Sequence, residues 1–138
     1  MSTILIVDDA PANREAMAKY LQREGFATAT ARNGAEGLVR LKEAKPDLIV
    51  LDHLMPEVDG LTFLAGIRRF PKWRQLPVIM MTGMKDSALH RKADTLNVSE
   101  YLVKSEFSLP DLVQHIRKHL DKKIAEHTTD AARPSATI

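Results

Sequence analysis

The chain has 138 residues, 44% of them apolar and 28% charged, with a formal charge of +2 and no cysteine. Such values describe one globular domain whose core buries about two-thirds of the unfolded surface, and they exclude a disulfide framework or a thiolate metal site. No run of Lys and Arg is dense enough to neutralise a row of phosphates, no apolar stretch approaches a membrane span, and the amino end lacks a basic-then-apolar leader, so a cytoplasmic protein that binds neither nucleic acid nor membrane is expected.

Thr3 to Val7 is a short apolar, β-branched run that stops at Asp8-Asp9, the pattern of a buried strand ending in carboxylates. Pro11 suits a first helical turn, and Ala16, Met17, Tyr20 and Leu21 share one face of the helix that Gly25 ends. Ala27 to Ala31 is a weak strand, left through a turn at Asn33-Gly34. Leu38 and Leu41 mark a second helix that must stop before Pro46. Leu48 to Leu51 is a continuous apolar run, read as a buried strand; it delivers Asp52 and then breaks at Pro56 and Gly60.

Leu61, Leu64 and Ile67 recur at helical spacing with Phe63 beside them, until Phe70-Pro71 closes the third helix. Lys72 to Gln75 reads as a loop with Trp73 as a lid over the sheet edge. Val78 to Met81 is a strand ending at Thr82-Gly83. Leu89, Ala93 and Leu96 mark a fourth helix, with Asn97 as a left-handed cap. Glu100 to Val103 is a fifth strand, ending at Lys104. Leu109, Leu112, Val113, Ile116 and Leu120 draw the stripe of a fifth helix that starts near Ser108 with Pro110 in its first turn. A folded unit over residues 1–122 and a disordered tail over 123–138 are expected, because periodicity fades after Lys122. The pairs Arg68-Arg69 and Lys122-Lys123 read as solvated faces.

Five strands alternating with five helices predict an α/β fold, a doubly wound three-layer sandwich around a parallel sheet. Ligands of such sheets bind at the carboxyl ends of the strands, and every chemically useful residue lands there: Asp8 and Asp9, Asp52, Thr82 and Lys104. Three clustered carboxylates repel one another and call for a cation, and an all-oxygen set favours Mg²⁺ or Mn²⁺. A carboxylate nucleophile beside a hard metal, a hydroxyl and a lysine suits phosphoryl transfer. A single Asp after a strand is often only a helix cap, but capping does not explain paired acids, a third acid, a hydroxyl and a lysine on one rim. His53 alternates away from Asp52 and reads as a surface residue. His115 and His119, four apart with Asp111 one turn earlier, form either a metal stripe or, as we read them, a solvated face.

Ile6-Val7-Asp8-Asp9, Leu51-Asp52-x-x-Met55-Pro56-x-x-Asp59-Gly60, Pro77-Val78-Ile79 with Met81-Thr82, and Tyr101-Leu102-Val103-Lys104 together resemble the receiver domain of two-component response regulators, over about Thr3 to Leu120. The resemblance implies a flavodoxin-like sheet of order 2-1-3-4-5. It also implies a phospho-accepting Asp52, served by a histidine kinase or histidine phosphotransfer protein, and Mg²⁺ held by Asp9, Asp52 and the Leu54 carbonyl with Asp8 supporting. Thr82 and Lys104 would bind phosphoryl oxygens, and Thr82 and Tyr101 would form the switch, read out on the face of the fourth helix, fifth strand and fifth helix.

Ser105 stands where the family usually has proline, so a trans Lys104–Ser105 bond and a rearranged loop are expected, a non-proline cis bond costing about 3–4 kcal/mol. Leu54 and Met84, at positions that tune acyl-phosphate hydrolysis in the family, are apolar and predict a long-lived phosphoryl group. A stand-alone signalling module is expected, with no enzymatic turnover beyond self-phosphorylation and slow autodephosphorylation, a downstream protein partner that the sequence does not name, and a monomer or phosphorylation-dependent dimer. Two alternatives are a degenerate receiver acting as a scaffold and a phosphohydrolase of the haloacid-dehalogenase type. The latter places an acid two residues after its nucleophile, where this chain has Leu54.

Overall fold

The computed structural model describes residues 1–121; the expected disordered tail over 123–138 and the pair Lys122-Lys123 lie outside the described residues. Strands β1 (Thr3–Val7), β2 (Ala27–Ala31), β3 (Leu48–Asp52), β4 (Val78–Thr82) and β5 (Glu100–Val103) alternate with helices α1 (Pro11–Arg23), α2 (Gly34–Ala44), α3 (Gly60–Arg68) and α4 (Ser87–Thr95), and a last helix, α5, covers residues 109–121. All pairings are parallel, in the order β2-β1-β3-β4-β5. This is the doubly wound order expected from the sequence.

Helices α2 to α5 start where short polar side chains answer their first N–H groups, whereas α1 starts at Pro11 without a side-chain cap. Asn33 Oδ1 accepts from Glu36 N (2.8 Å), Asp59 Oδ1 from Thr62 N (2.7 Å) and Asp86 Oδ1 from Ala88 N (3.0 Å). Ser108 and Asp111 cap α5 reciprocally, Ser108 N donating to Asp111 Oδ2 at 2.9 Å and Asp111 N to Ser108 Oγ at 3.3 Å. Asn97, at φ 58°, takes the left-handed conformation after α4.

Two cores sandwich the sheet. Leu41 of α2, Phe63, Leu64 and Ile67 of α3 and Ala93 of α4 cover one face, while Met17, Ala18 and Leu21 of α1 and Leu112, Val113, Ile116 and Leu120 of α5 cover the other. The apolar side chains of β1, β3 and β4 are buried, each contributing roughly 1.5–3 kcal/mol of hydrophobic stabilisation.

Three readings of the sequence are corrected. Ala18, not Ala16, lies on the buried face of α1, because the stripe follows Met17 and Leu21 rather than the whole turn. Trp73 is a core residue rather than a lid: it ends a 3₁₀ turn at Pro71–Trp73, packs edge-on against Phe70 with centroids 5.2 Å apart, and carries the Lys72 ammonium over its ring. Arg68 is not solvated. Its guanidinium is buried and donates to the carbonyls of Leu96 (2.9 Å), Trp73 (2.6 Å), Leu76 (2.8 Å) and Asn97 (3.0 Å), tying together the segments that lead into β4 and β5. Arg69 is exposed, as expected.

Candidate functional site

Strand parity decides which side chains meet. Leu5 and Val7, Ile49 and Leu51, and Val78 and Met80 face the α2–α3–α4 layer, whereas Ile4 and Ile6, Leu48 and Val50, and Ile79 and Met81 face α1 and α5. One further step along β1 and β3 sends Asp8 and Asp52 toward α1 and α5. On β5, Tyr101 packs with the first layer and Leu102 with the second, so Lys104 falls on the side of the carboxylates. Thr82, one step past Met81, falls on the side of Tyr101.

Lys104 Nζ lies 3.1 Å from Asp52 Oδ1 and 3.9 Å from Asp8 Oδ2. One oxygen from each of Asp8, Asp9 and Asp52 falls within 4.8 Å of the other two, with Asp8 and Asp52 buried and Asp9 open to solvent. Asp8 does not cap α1, whose N-cap is Ala10 with no side-chain cap; its Oδ1 accepts the Ala10 N–H (2.9 Å) in the turn before the helix, while Arg14 donates to its carbonyl (2.9 Å). The other Asp8 oxygen is buried without a hydrogen-bond partner among the described residues, and the ion pair with Lys104 is what faces Asp52 Oδ1. Asp52 is only 2% exposed. Its pKa is raised to about 6, first by burial and next by the charge of Asp8, with Lys104 opposing and Asp9 adding to the rise.

Three carboxylates thus face one ammonium, and a buried Asp8 oxygen lacks a donor. That deficit, in an all-oxygen set, fits a hard divalent cation.

The loop after β3 keeps this site open. Gly60 N donates to the His53 carbonyl (2.8 Å), and a Cβ on Gly60 would stand 2.5 Å from the Asp52 carbonyl oxygen, so only glycine permits this return. Glu57 takes a left-handed φ of 71° to make the turn. Leu54 follows β3 in that loop and is 64% exposed; Met84, following β4, is 70% exposed.

Thr82 is buried, and its hydroxyl donates to the Met84 carbonyl (3.2 Å). The Tyr101 hydroxyl is out of water beside Thr82, without a well-formed hydrogen bond. Lys104 begins a 3₁₀ turn, Lys104–Glu106; the described chain has no cis peptide, so the Lys104–Ser105 bond is trans. Across the mouth of the site, Lys85 of the β4–α4 loop pairs with Glu106 at 2.9 Å.

The histidines depart from their expected places. His53 is half-buried, not a surface residue, and its Nδ1 is enclosed. It sits near Asp59, whose carboxyl is held below its usual range, against the push of burial, by the Thr62 N–H and by His53. The face carrying His115 and His119 is turned to β5 rather than to solvent: His115 Nδ1 lies 2.6 Å from Glu100 Oε1 and His119 Nε2 3.8 Å from Glu100 Oε2. Asp111 is engaged at the α5 cap. His90 carried no signal in the sequence, yet its ring stacks on Tyr101; that contact joins α4 to β5, and helical spacing within α4 does not encode it.

A family model for the response regulator receiver domain matches residues 4–117. The chain is 34% identical to the chemotaxis protein CheY of Bacillus subtilis over 119 residues, covering 86% of this chain and 97% of that one. It is 32% identical to the phosphate regulon transcriptional regulatory protein PhoB of Rhizobium meliloti over 117 residues, 85% of this chain and 51% of that one. The chain therefore spans about half the length of the latter, and 37% and 55% of two further curated regulators that it matches. Among solved structures, a CheY-like response regulator receiver domain protein from Methanospirillum hungatei superposes with a TM-score of 0.85 at 25% identity, covering 91% of this chain and 98% of that one.

Proposed function

We propose that this chain, which belongs to the response regulator receiver domain family of two-component signalling, accepts a phosphoryl group on Asp52 and signals by a change of conformation. The observation that carries the reading is the meeting of Asp8, Asp9, Asp52 and Lys104 at one strand edge, with Lys104 Nζ 3.1 Å from Asp52 Oδ1. The donor is a phosphohistidine of a histidine kinase or histidine phosphotransfer protein. A carboxylate oxygen of Asp52 attacks phosphorus; the O–P bond forms, the N–P bond breaks, and its electron pair returns to the imidazole, which takes up a proton.

Asp9, Asp52 and the Leu54 carbonyl, with Asp8 in support, would hold Mg²⁺ or Mn²⁺, which offsets charge on the phosphoryl oxygens. Lys104 moves from the free carboxylate to a phosphoryl oxygen. Thr82 gives up the Met84 carbonyl and donates to another. That release frees space beside Tyr101 and biases a two-state element on the face formed by α4, β5 and α5, where a downstream protein partner reads the state as a monomer or a dimer. Among the described residues no helix is long and apolar enough to cross a membrane, in keeping with action in the cytoplasm.

The exposed, apolar Leu54 and Met84 supply no group to orient an attacking water, so the acyl phosphate is long-lived. Leu54 also stands where a haloacid-dehalogenase-type enzyme needs its acid–base carboxylate, which disfavours turnover. The assembled acidic set disfavours a mere scaffold.

Incubation with Mg²⁺ and acetyl phosphate, followed by intact mass, tests the reading. A single phosphoryl adduct absent from Asp52→Asn is expected. Continuous phosphate release would point to the hydrolase, and absence of any adduct to the scaffold.

A further inference from the structure

His90 of α4 and Tyr101 of β5 stack face to face, ring centroids 4.5 Å apart and planes within 5° of parallel. The two sides of the Tyr101 ring meet different surroundings. Its inner side joins the core under α4, and its hydroxyl reaches the neighbourhood of Thr82. Burial raises the phenol above its usual pKa, the Thr82 contact works against this, and the Asp86 carboxylate adds to the rise. The other side is covered by the His90 imidazole, itself 51% exposed and 3.7 Å from Asp94 one turn along α4. His90 is therefore the group between the Tyr101 ring and water.

We infer that His90 is a positioning residue for Tyr101: stacked on the ring, it holds the tyrosine turned in toward Thr82 before any phosphoryl group arrives. The inference rests on the reading of Thr82 and Tyr101 as the switch that answers Asp52. A ring at a sheet edge chooses between an inward rotamer and one extended into solvent, and covering one face with a parallel aromatic shifts that choice roughly two- to tenfold. If the inward ring belongs to the signalling state, His90 keeps part of the population there at rest, and less of the shift is left for phosphorylation to supply. The stack adds no polar contact to Tyr101, and a plain aromatic ring at position 90 should serve equally.

Comparison of His90→Ala and His90→Phe with the unmodified protein tests this. The Tyr101 ring resonances, assigned by their loss in Tyr101→Phe, report the stack directly, and the rate of adduct formation with acetyl phosphate and Mg²⁺ reports its coupling to Asp52. In His90→Ala the ring resonances should move toward values of an unstacked tyrosine and the rate should fall two- to tenfold. His90→Phe should restore both, which general loss of packing in α4 would not do. Unmoved Tyr101 resonances, an unchanged rate in His90→Ala, or failure of His90→Phe to restore them overturns the inference. Lack of any adduct in the unmodified protein would sink the phosphorylation reading instead, and the resonances would still report on the stack.

Discussion

The two edges of the sheet each bury charge, and they treat it in opposite ways. At the amino edge, Arg68 is 9% exposed and has no carboxylate within ion-pair distance among the described residues, yet its Nε, Nη1 and Nη2 all donate to carbonyls of the segments leading into β4 and β5. At the carboxyl edge, Asp8 and Asp52 are as deeply buried, repel each other, share the single ammonium of Lys104, and leave an Asp8 oxygen without a donor. The first edge is satisfied within the chain and serves stability. The second is left with a deficit that a cation and a phosphoryl group would fill, as expected where stability is given up for chemistry.

Mutations at the two edges should therefore have opposite signs. Arg68→Met strips the donors from four carbonyls, two buried and two part-buried, and urea unfolding should show a loss of about 3–5 kcal/mol while the Asp52 adduct still forms. A loss below about 1 kcal/mol would mean that water serves those carbonyls as well as Arg68 does.

Asp52→Asn should stabilise the metal-free protein. The folded pKa of Asp52 is raised from 3.8 to about 6, so the fold prefers the protonated acid; the cost is absent below pH about 4, grows as pH rises through that window and is complete above about 6. Its size is on the order of 2–3 kcal/mol. The stability difference between Asp52→Asn and the unmodified protein should accordingly be greatest at pH 7 and vanish toward pH 4. Mg²⁺ at neutral pH should stabilise the unmodified protein, through binding to the native state only, and do so much less in Asp52→Asn. Equal stability of the two proteins at pH 7 without metal would break the comparison.

Gly60→Ala sets backbone against backbone at the Asp52 carbonyl and should cost about 1–3 kcal/mol. Unlike Arg68→Met, it should also slow adduct formation, because the strained backbone is that of the proposed phospho-acceptor, Asp52. The smallest effect is kinetic: Leu54→Asn and Met84→Asn, polar and solvent-facing, should shorten the life of the phosphoryl group several-fold without moving the unfolding midpoint. An unchanged or longer decay time would remove the apolar rim from the account of lifetime.

Much of the carboxyl edge was legible from the chain. A buried parallel strand is a run of apolar residues, and the residue that ends the run is delivered to the ligand-binding rim, so Asp8, Asp9, Asp52, Thr82 and Lys104 announced themselves by position. Arg68, Trp73, His53, His115 and His119 did not. Each is defined by what another element places against it: carbonyls from two later segments for Arg68, core residues for Trp73, the neighbourhood of Asp59 for His53, and Glu100 of β5 for the α5 histidines.

The sequence by itself determined the element order, the sheet and the roster of acids, hydroxyl and lysine at its edge, because periodicity and strand ends are local properties of the chain. Tertiary structure alone decided that Asp52 and Lys104 share one side of the sheet while Thr82 and Tyr101 share the other, that His90 covers Tyr101, and that Arg68 is buried and satisfied. Those outcomes depend on distances between residues far apart in the chain, which are set only when the layers pack.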